Sequence, residues 1–118
     1  KTMGYRSEVI LALTDKNLKK LIQQTDDKIL VELLNHADRH EKDGWTLIHW
    51  SDVKWYEDYK DVAAVNNFIN EIEDSEDEEV REGFSYHIMG EEQDDYTAKG
   101  TWDTPFEIRL NRSLDFFA

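Results

Sequence analysis

The chain contains no cysteine, so a disulfide framework, a thiolate zinc site and a cysteine nucleophile are all excluded. With one proline and five glycines in 118 residues there is no Pro- or Gly-rich linker, no phosphate-cradling glycine loop and no Gly-x-Ser-x-Gly nucleophile turn. The longest uninterrupted apolar run, Val9 to Leu13, is far short of a membrane span, and the N-terminus lacks the basic-then-apolar layout of a signal peptide. Nothing in the composition points to an oxidising compartment, so cytoplasm is the expected location. Bases are scarce: 14 Lys and Arg stand against 27 Asp and Glu, for a net charge of −13.

Aromatic residues are plentiful, with five Phe, five Tyr and four Trp spread along the sequence. An acidic disordered tail would lack them, so most of the chain is expected to fold. The length suits one compact domain with its own core. Lys1 and Thr2 precede a Met3 that reads as an initiator, so the domain is placed at 3–118.

The negative charge is concentrated. Residues 1–51 hold eight acids and eight bases, residues 104–118 hold two of each, and residues 52–103 hold seventeen acids and four bases. Its densest part is Glu71 to Glu82, EIEDSEDEEVRE, with eight carboxylates and a single base, Arg81. Such a block repels itself, so it is expected to lie outside the core. A second cluster follows at Glu91, Glu92, Asp94 and Asp95. Direct binding to nucleic acid through this acidic half is opposed by phosphate repulsion, whereas a basic protein surface is a natural partner.

Periodicity gives the scaffold. YRSEVILAL at 5–13 alternates as a strand whose later half is apolar on both faces, the mark of a central position. Thr14-Asp15 and Thr25-Asp26-Asp27 are N-cap signals for two helices, or one bent helix, over 15–38. Glu41 to Gly44 reads as a turn, and WTLIHW at 45–50 as a strand with a bulged continuation or a hairpin partner after Ser51-Asp52. Val62, Val65, Phe68, Ile69 and Ile72 form one stripe of a third helix, expected to fray near Asp74 because carboxylates oppose its C-terminal dipole. FSYHIM at 84–89 is a further strand, a polar stretch extends from there to Pro105, and 106–116 closes the chain as one strand or two. The expected fold is α+β: one domain with a mixed or antiparallel sheet of four to five strands and about three helices on one face.

Few chemistries survive inspection. A calcium loop begun at Glu71 would need glycine at its sixth position, where Glu76 stands. His36 and His40 have helical i,i+4 spacing but no intervening glutamate in the zinc-protease pattern, so no metal ligands are assigned. His49 and His87 fall on strands, where a half-buried structural role outweighs catalysis. Carboxylate pairs are too numerous for any one to be singled out as an acid–base couple, so neither a catalytic residue nor a cofactor is expected. Trp45, Trp50, Trp55, Tyr56 and Tyr59 lie just before the acidic half; about half belong in a core, while Trp55 and Tyr59, flanked by charges, are candidate exposed anchors.

The segments GYRSEV (4–9), VKWYEDYKDV (53–62), GEEQDD (90–95) and RSLDF (112–116) together resemble a family of small, acidic, uncharacterised bacteriophage proteins with an N-terminal GYRS(E/D)V. The resemblance implies a phage origin, a host cytoplasmic location and a single domain, and transfers no catalytic residue. The function expected is a non-enzymatic inhibitor or nucleic-acid mimic, holding its carboxylates toward a basic surface on a host nucleic-acid-binding or defence protein. The partner-binding residues are then Glu73, Asp74, Glu76, Asp77, Glu78, Glu79, Glu91, Glu92, Asp94 and Asp95, with Trp55 and Tyr59 as anchors. The alternatives are a protein-binding or self-associating module working through an apolar surface, its acids serving solubility, and a metal-dependent enzyme.

Overall fold

A computed structural model describes residues 6–24, 28–90, 95–111 and 113–117. The order is β1 (Ser7–Thr14), α1 (Asp15–Gln23), α2 (Lys28–Asn35), β2 (Asp38–Lys42), β3 (Trp45–Val53), α3 (Lys60–Glu73), α4 (Glu78–Arg81), β4 (Phe84–Gly90), β5 (Tyr96–Gly100), β6 (Glu107–Asn111) and β7 (Ser113–Phe117). Five strands form an antiparallel sheet in the order β2-β3-β1-β4-β5, and β6 with β7 form a separate two-stranded ribbon. The fold is α+β.

β1 is central, as its doubly apolar sequence requires. Val9, Leu11 and Leu13 face the helices, where they join Ile48, Trp50, Phe84, Tyr86 and the α3 stripe Val62, Val65, Phe68, Ile69 and Ile72 in the main core. Ile10 and Ala12 face the other way and pack with Leu47, Met89 and Phe106, with Ile108 of the ribbon against them. The sheet therefore carries helices on one face and the terminal ribbon on the other.

Two strands depart from expectation. DRHEK at 38–42 is β2 rather than the end of a helix and the start of a turn, and each of its residues is exposed. It pairs with β3 through an Asp43-Gly44 turn in which both residues have positive φ, 52° and 80°, the two-residue hairpin geometry that Asp-Gly favours. β5 lies inside the polar stretch expected to be loop. β3 runs past Ser51 as a bulged continuation: its register with β1 shifts between Ser7 and Val9, and Asp52 has φ 53°.

Candidate protein-binding surface

The acidic block is ordered backbone built on the core. α3 ends at Glu73 with Asp74 as its C-cap, and after a two-residue bend Asp77 caps α4, accepting from the Glu79 N–H. Carboxylates at the end of α3 oppose its dipole, while Asp77, Glu78 and Glu79 complement the first turn of α4. The bend is cross-braced: the Asp77 N–H donates to Ser75 Oγ at 3.1 Å and Arg81 Nη1 donates to the Ser75 carbonyl at 2.8 Å.

The expectation that this block stays clear of the core is corrected at Val80, while Ile72 is buried as the α3 stripe requires. Ile72 and Val80, each 3% exposed, belong to the main cluster, and Val80 acts as a plug that pins α4. Buried Asn17 on α1 holds the same turn from beneath, its Nδ2 donating to the carbonyls of Val80 at 2.9 Å and Gly83 at 3.0 Å. The carboxylates thus project from a backbone fixed to β1 and α1.

Some of them are neutralised. Lys16 Nζ lies 2.6 Å from Asp77 and 3.4 Å from Glu79, and Lys99 lies 3.7 Å from Glu73. The hydrogen bond from Lys16 holds the Asp77 carboxyl below its usual range, and the same bond raises the lysine. Asp74, Glu76 and Glu78 are exposed, and among the described residues none has an ion-pair partner.

Of the second acidic cluster only Asp95 is described, and it stands apart from α4. β4 starts beside the acidic block and ends at Gly90, whose N–H donates to the carbonyl of Asp95 at 2.7 Å. Asp95 therefore sits at the opposite end of the sheet from α4, about 24 Å away along the eight residues of β1, although Glu73, through Lys99, reaches the cleft that Asp95 also lines. Glu91, Glu92 and Asp94 lie outside the described residues. Trp55 is not an exposed anchor: it is 7% exposed, packs on Trp50 with ring centroids 4.9 Å apart, and donates its indole N–H to the Tyr86 hydroxyl at 2.8 Å. The charges beside it in sequence point outward while the indole points in. Tyr59 is 40% exposed but stands at the N-cap of α3, about 20 Å from Glu73 at the other end of that 14-residue helix. His40 is on β2 and His36 follows α2, so the helical spacing of the two is not realised; the described residues contain no group of three or more His, Asp or Glu placed to hold a metal.

Two polar features lie outside the acidic block. A cleft of about 380 Å³ opens between α3 and the β4–β5 edge, with buried Tyr86 in its floor. There the Tyr86 hydroxyl accepts from Trp55 and donates to Asn66 Oδ1 at 3.0 Å, and burial pushes the phenol up to about 12. Asn66 and Asn70 are one turn apart on α3, a spacing visible in the sequence but with no indication of which wall they would face. On the opposite face of the sheet His87 is 1% exposed, with Ser85 Oγ 2.7 Å from Nε2, the Tyr96 hydroxyl 2.7 Å from Nδ1, and Trp102 edge-on at 4.5 Å. Burial pulls its pKa down to about 4, so the ring is neutral at pH 7, accepting from one hydroxyl and donating to the other. Ser85 is fully buried, which suits a sealed polar link rather than a nucleophile.

No helix among the described residues is long and apolar enough to cross a membrane. No known protein family, curated protein or solved structure matches this chain.

Proposed function

We propose that this chain is a non-enzymatic interaction protein whose ridge at the end of α3 and along α4 engages a basic surface on a protein partner. The observation that carries the reading is the fixed placement of Asp74, Glu76 and Glu78: exposed, without ion-pair partners among the described residues, and mounted on a backbone pinned by Val80 and Asn17. Preorganised carboxylates lose little entropy on docking, and they can take the place of phosphates against arginine and lysine. Their field speeds encounter and repels nucleic acid itself. The resemblance to acidic phage proteins suggests a partner in the nucleic-acid-binding or defence machinery of a bacterial host.

The test is capture from bacterial lysate at low and high salt, by the native chain and by a Glu76→Lys/Glu78→Lys variant. These positions avoid the capping and Lys16-paired acids, so the fold should survive. A partner held at low salt, released at high salt and lost by the variant supports the reading. Equal capture by the variant refutes it.

A further inference from the structure

The two edges of the sheet are unlike. β2 presents five exposed residues, every one ionisable, which is how natural sheets discourage further strand pairing. β5 reads Tyr-Thr-Ala-Lys-Gly, with a single charge at Lys99 that is engaged by Glu73, and it contains no proline or bulge. Thr97, Ala98 and Lys99 are exposed, and no strand lies on the outer side of β5 among the described residues.

The register identifies the open backbone groups. The Thr101 N–H donates to the Phe84 carbonyl and the Gly90 N–H to the Asp95 carbonyl, so these pairs, and by alternation 86 with 99 and 88 with 97, bond inward to β4. The N–H and C=O of Ala98, whose partner on β4 is His87, consequently point outward. An incoming strand would find its central hydrogen-bonding site there.

Thr97 and Lys99 lie on the same face as Ile88 and Tyr86, so they form the outer wall of the cleft beneath α3. A strand added to β5 would run about 5 Å beyond that wall, within reach of the cleft for a long side chain. The cleft is chemically asymmetric. Lys99 is occupied by Glu73 toward the α4 end, whereas Glu57 and Asp95 stand toward the Ser7 end. Asn66, whose oxygen accepts from Tyr86, and Asn70 line the wall between these two ends.

We infer that β5 is a docking edge for an extended, basic segment of a partner protein, which adds as a sixth strand and sends one arginine or lysine into the cleft toward Glu57 and Asp95. The charge of the chain, −13, disfavours a second copy in that place. The inference is independent of the α3–α4 ridge, and the two fail separately.

The probe is a blocked nine-residue peptide alternating Thr and Arg, titrated into ¹⁵N-labelled protein. Expected are resonance shifts confined to β5 and the cleft, hydrogen exchange at the Ala98 amide slowed at least tenfold, and loss of both when arginine is replaced by glutamate. Ala98→Pro removes the outward N–H at an edge position that tolerates proline, and should abolish binding. Glu57→Gln with Asp95→Asn should weaken it several-fold without touching the backbone, which keeps the test open if the proline variant unfolds. Glu76→Lys/Glu78→Lys should bind the peptide about as well as the native chain. Unslowed exchange at Ala98, shifts mapping to α4 instead, or a dimer formed through β5 without peptide would each overturn the inference.

Discussion

Gly83→Ala tests whether α4 is welded to the rest of the fold. A Cβ at residue 83 would stand 2.6 Å from Asn17 Nδ2, 2.7 Å from the Glu79 carbonyl oxygen and 2.7 Å from Thr14 Oγ1. Neither rotation of one side chain nor a small loop shift clears all three, because the Glu79 oxygen is backbone and Thr14 caps α1 through the Asn17 N–H. Overpacking of this kind costs about 1–3 kcal/mol, and displacing Asn17 gives up two hydrogen bonds worth about 1 kcal/mol each. Restricting the unfolded chain returns about 0.4–1 kcal/mol. The expected destabilisation is about 3 kcal/mol, a large share of the roughly 5–15 kcal/mol that holds a domain of this size.

Asn17→Ala should cost less, about 1–2 kcal/mol, since the carbonyls it leaves keep backbone donors: Thr14 N at 3.0 Å for Gly83 and Gly83 N at 3.2 Å for Val80. Its own Oδ1 is buried without a partner among the described residues, so deleting it also relieves a penalty. The double variant should fall short of the sum, because removing Nδ2 removes one of the three overlaps. Urea unfolding supplies the free energies, and the Asn17 side-chain amide resonances report the contact directly. A Gly83→Ala midpoint within about 0.5 kcal/mol of the native chain, with those resonances unmoved, would refute the packing described for α4.

Three further outcomes follow from buried groups. His87 has its folded pKa lowered to about 4 from 6.5, so the unfolded chain binds the extra proton between those values; stability is full above pH 6.5 and falls as pH drops toward 4, by on the order of 3 kcal/mol. His87→Gln should flatten that part of a urea-midpoint-versus-pH curve, and an unchanged slope would show that other groups carry it. Tyr86→Phe leaves the Trp55 indole N–H without its acceptor in a buried site, for an expected loss of about 1–3 kcal/mol in urea unfolding. Trp55→Ala should cost about 3–5 kcal/mol as a core truncation, so binding lost in this variant should track unfolded protein measured by circular dichroism.

The helical half of the fold was legible because its stripes are long: all five apolar positions of α3 are buried as their spacing requires. β2 was hidden because DRHEK has no apolar alternation, an edge strand's protection being also its disguise, although Asp43-Gly44 before WTLIHW was a usable hairpin signal. β5 was hidden in the same way by polarity, and its partnership with β4 is a pairing that local pattern does not encode. For the acidic block, composition located the charge but concealed the anchor. A lone valine among carboxylates looks incidental until the main core receives it, and that core exists only once distant segments have met. Trp55 misled for the converse reason: flanking charges describe the backbone's exposure, while an indole is long enough to reach inward past them.

The separation of the two acidic ends has a consequence for mechanism. About 24 Å divides Asp95 from the α4 end of the sheet, roughly three times the Debye length of about 8 Å in physiological salt. Charges so far apart across solvent do not reinforce each other at one binding site, so the net charge of −13 acts as a whole only at low ionic strength, where it steers encounter. On the two proposals above, each end would act in physiological salt through its own geometry. Among the described residues Glu76, in the bend before α4, and Glu78, on its first turn, have no ion-pair partner, whereas Glu57 and Asp95 flank a cleft beside open backbone. Charge reversal at α4 should therefore alter the salt dependence of ridge binding while leaving the β5 edge intact, and the converse substitutions should leave the ridge intact. A partner that needs both must span the length of the sheet, which calls for an extended segment attached to a folded basic domain rather than either alone.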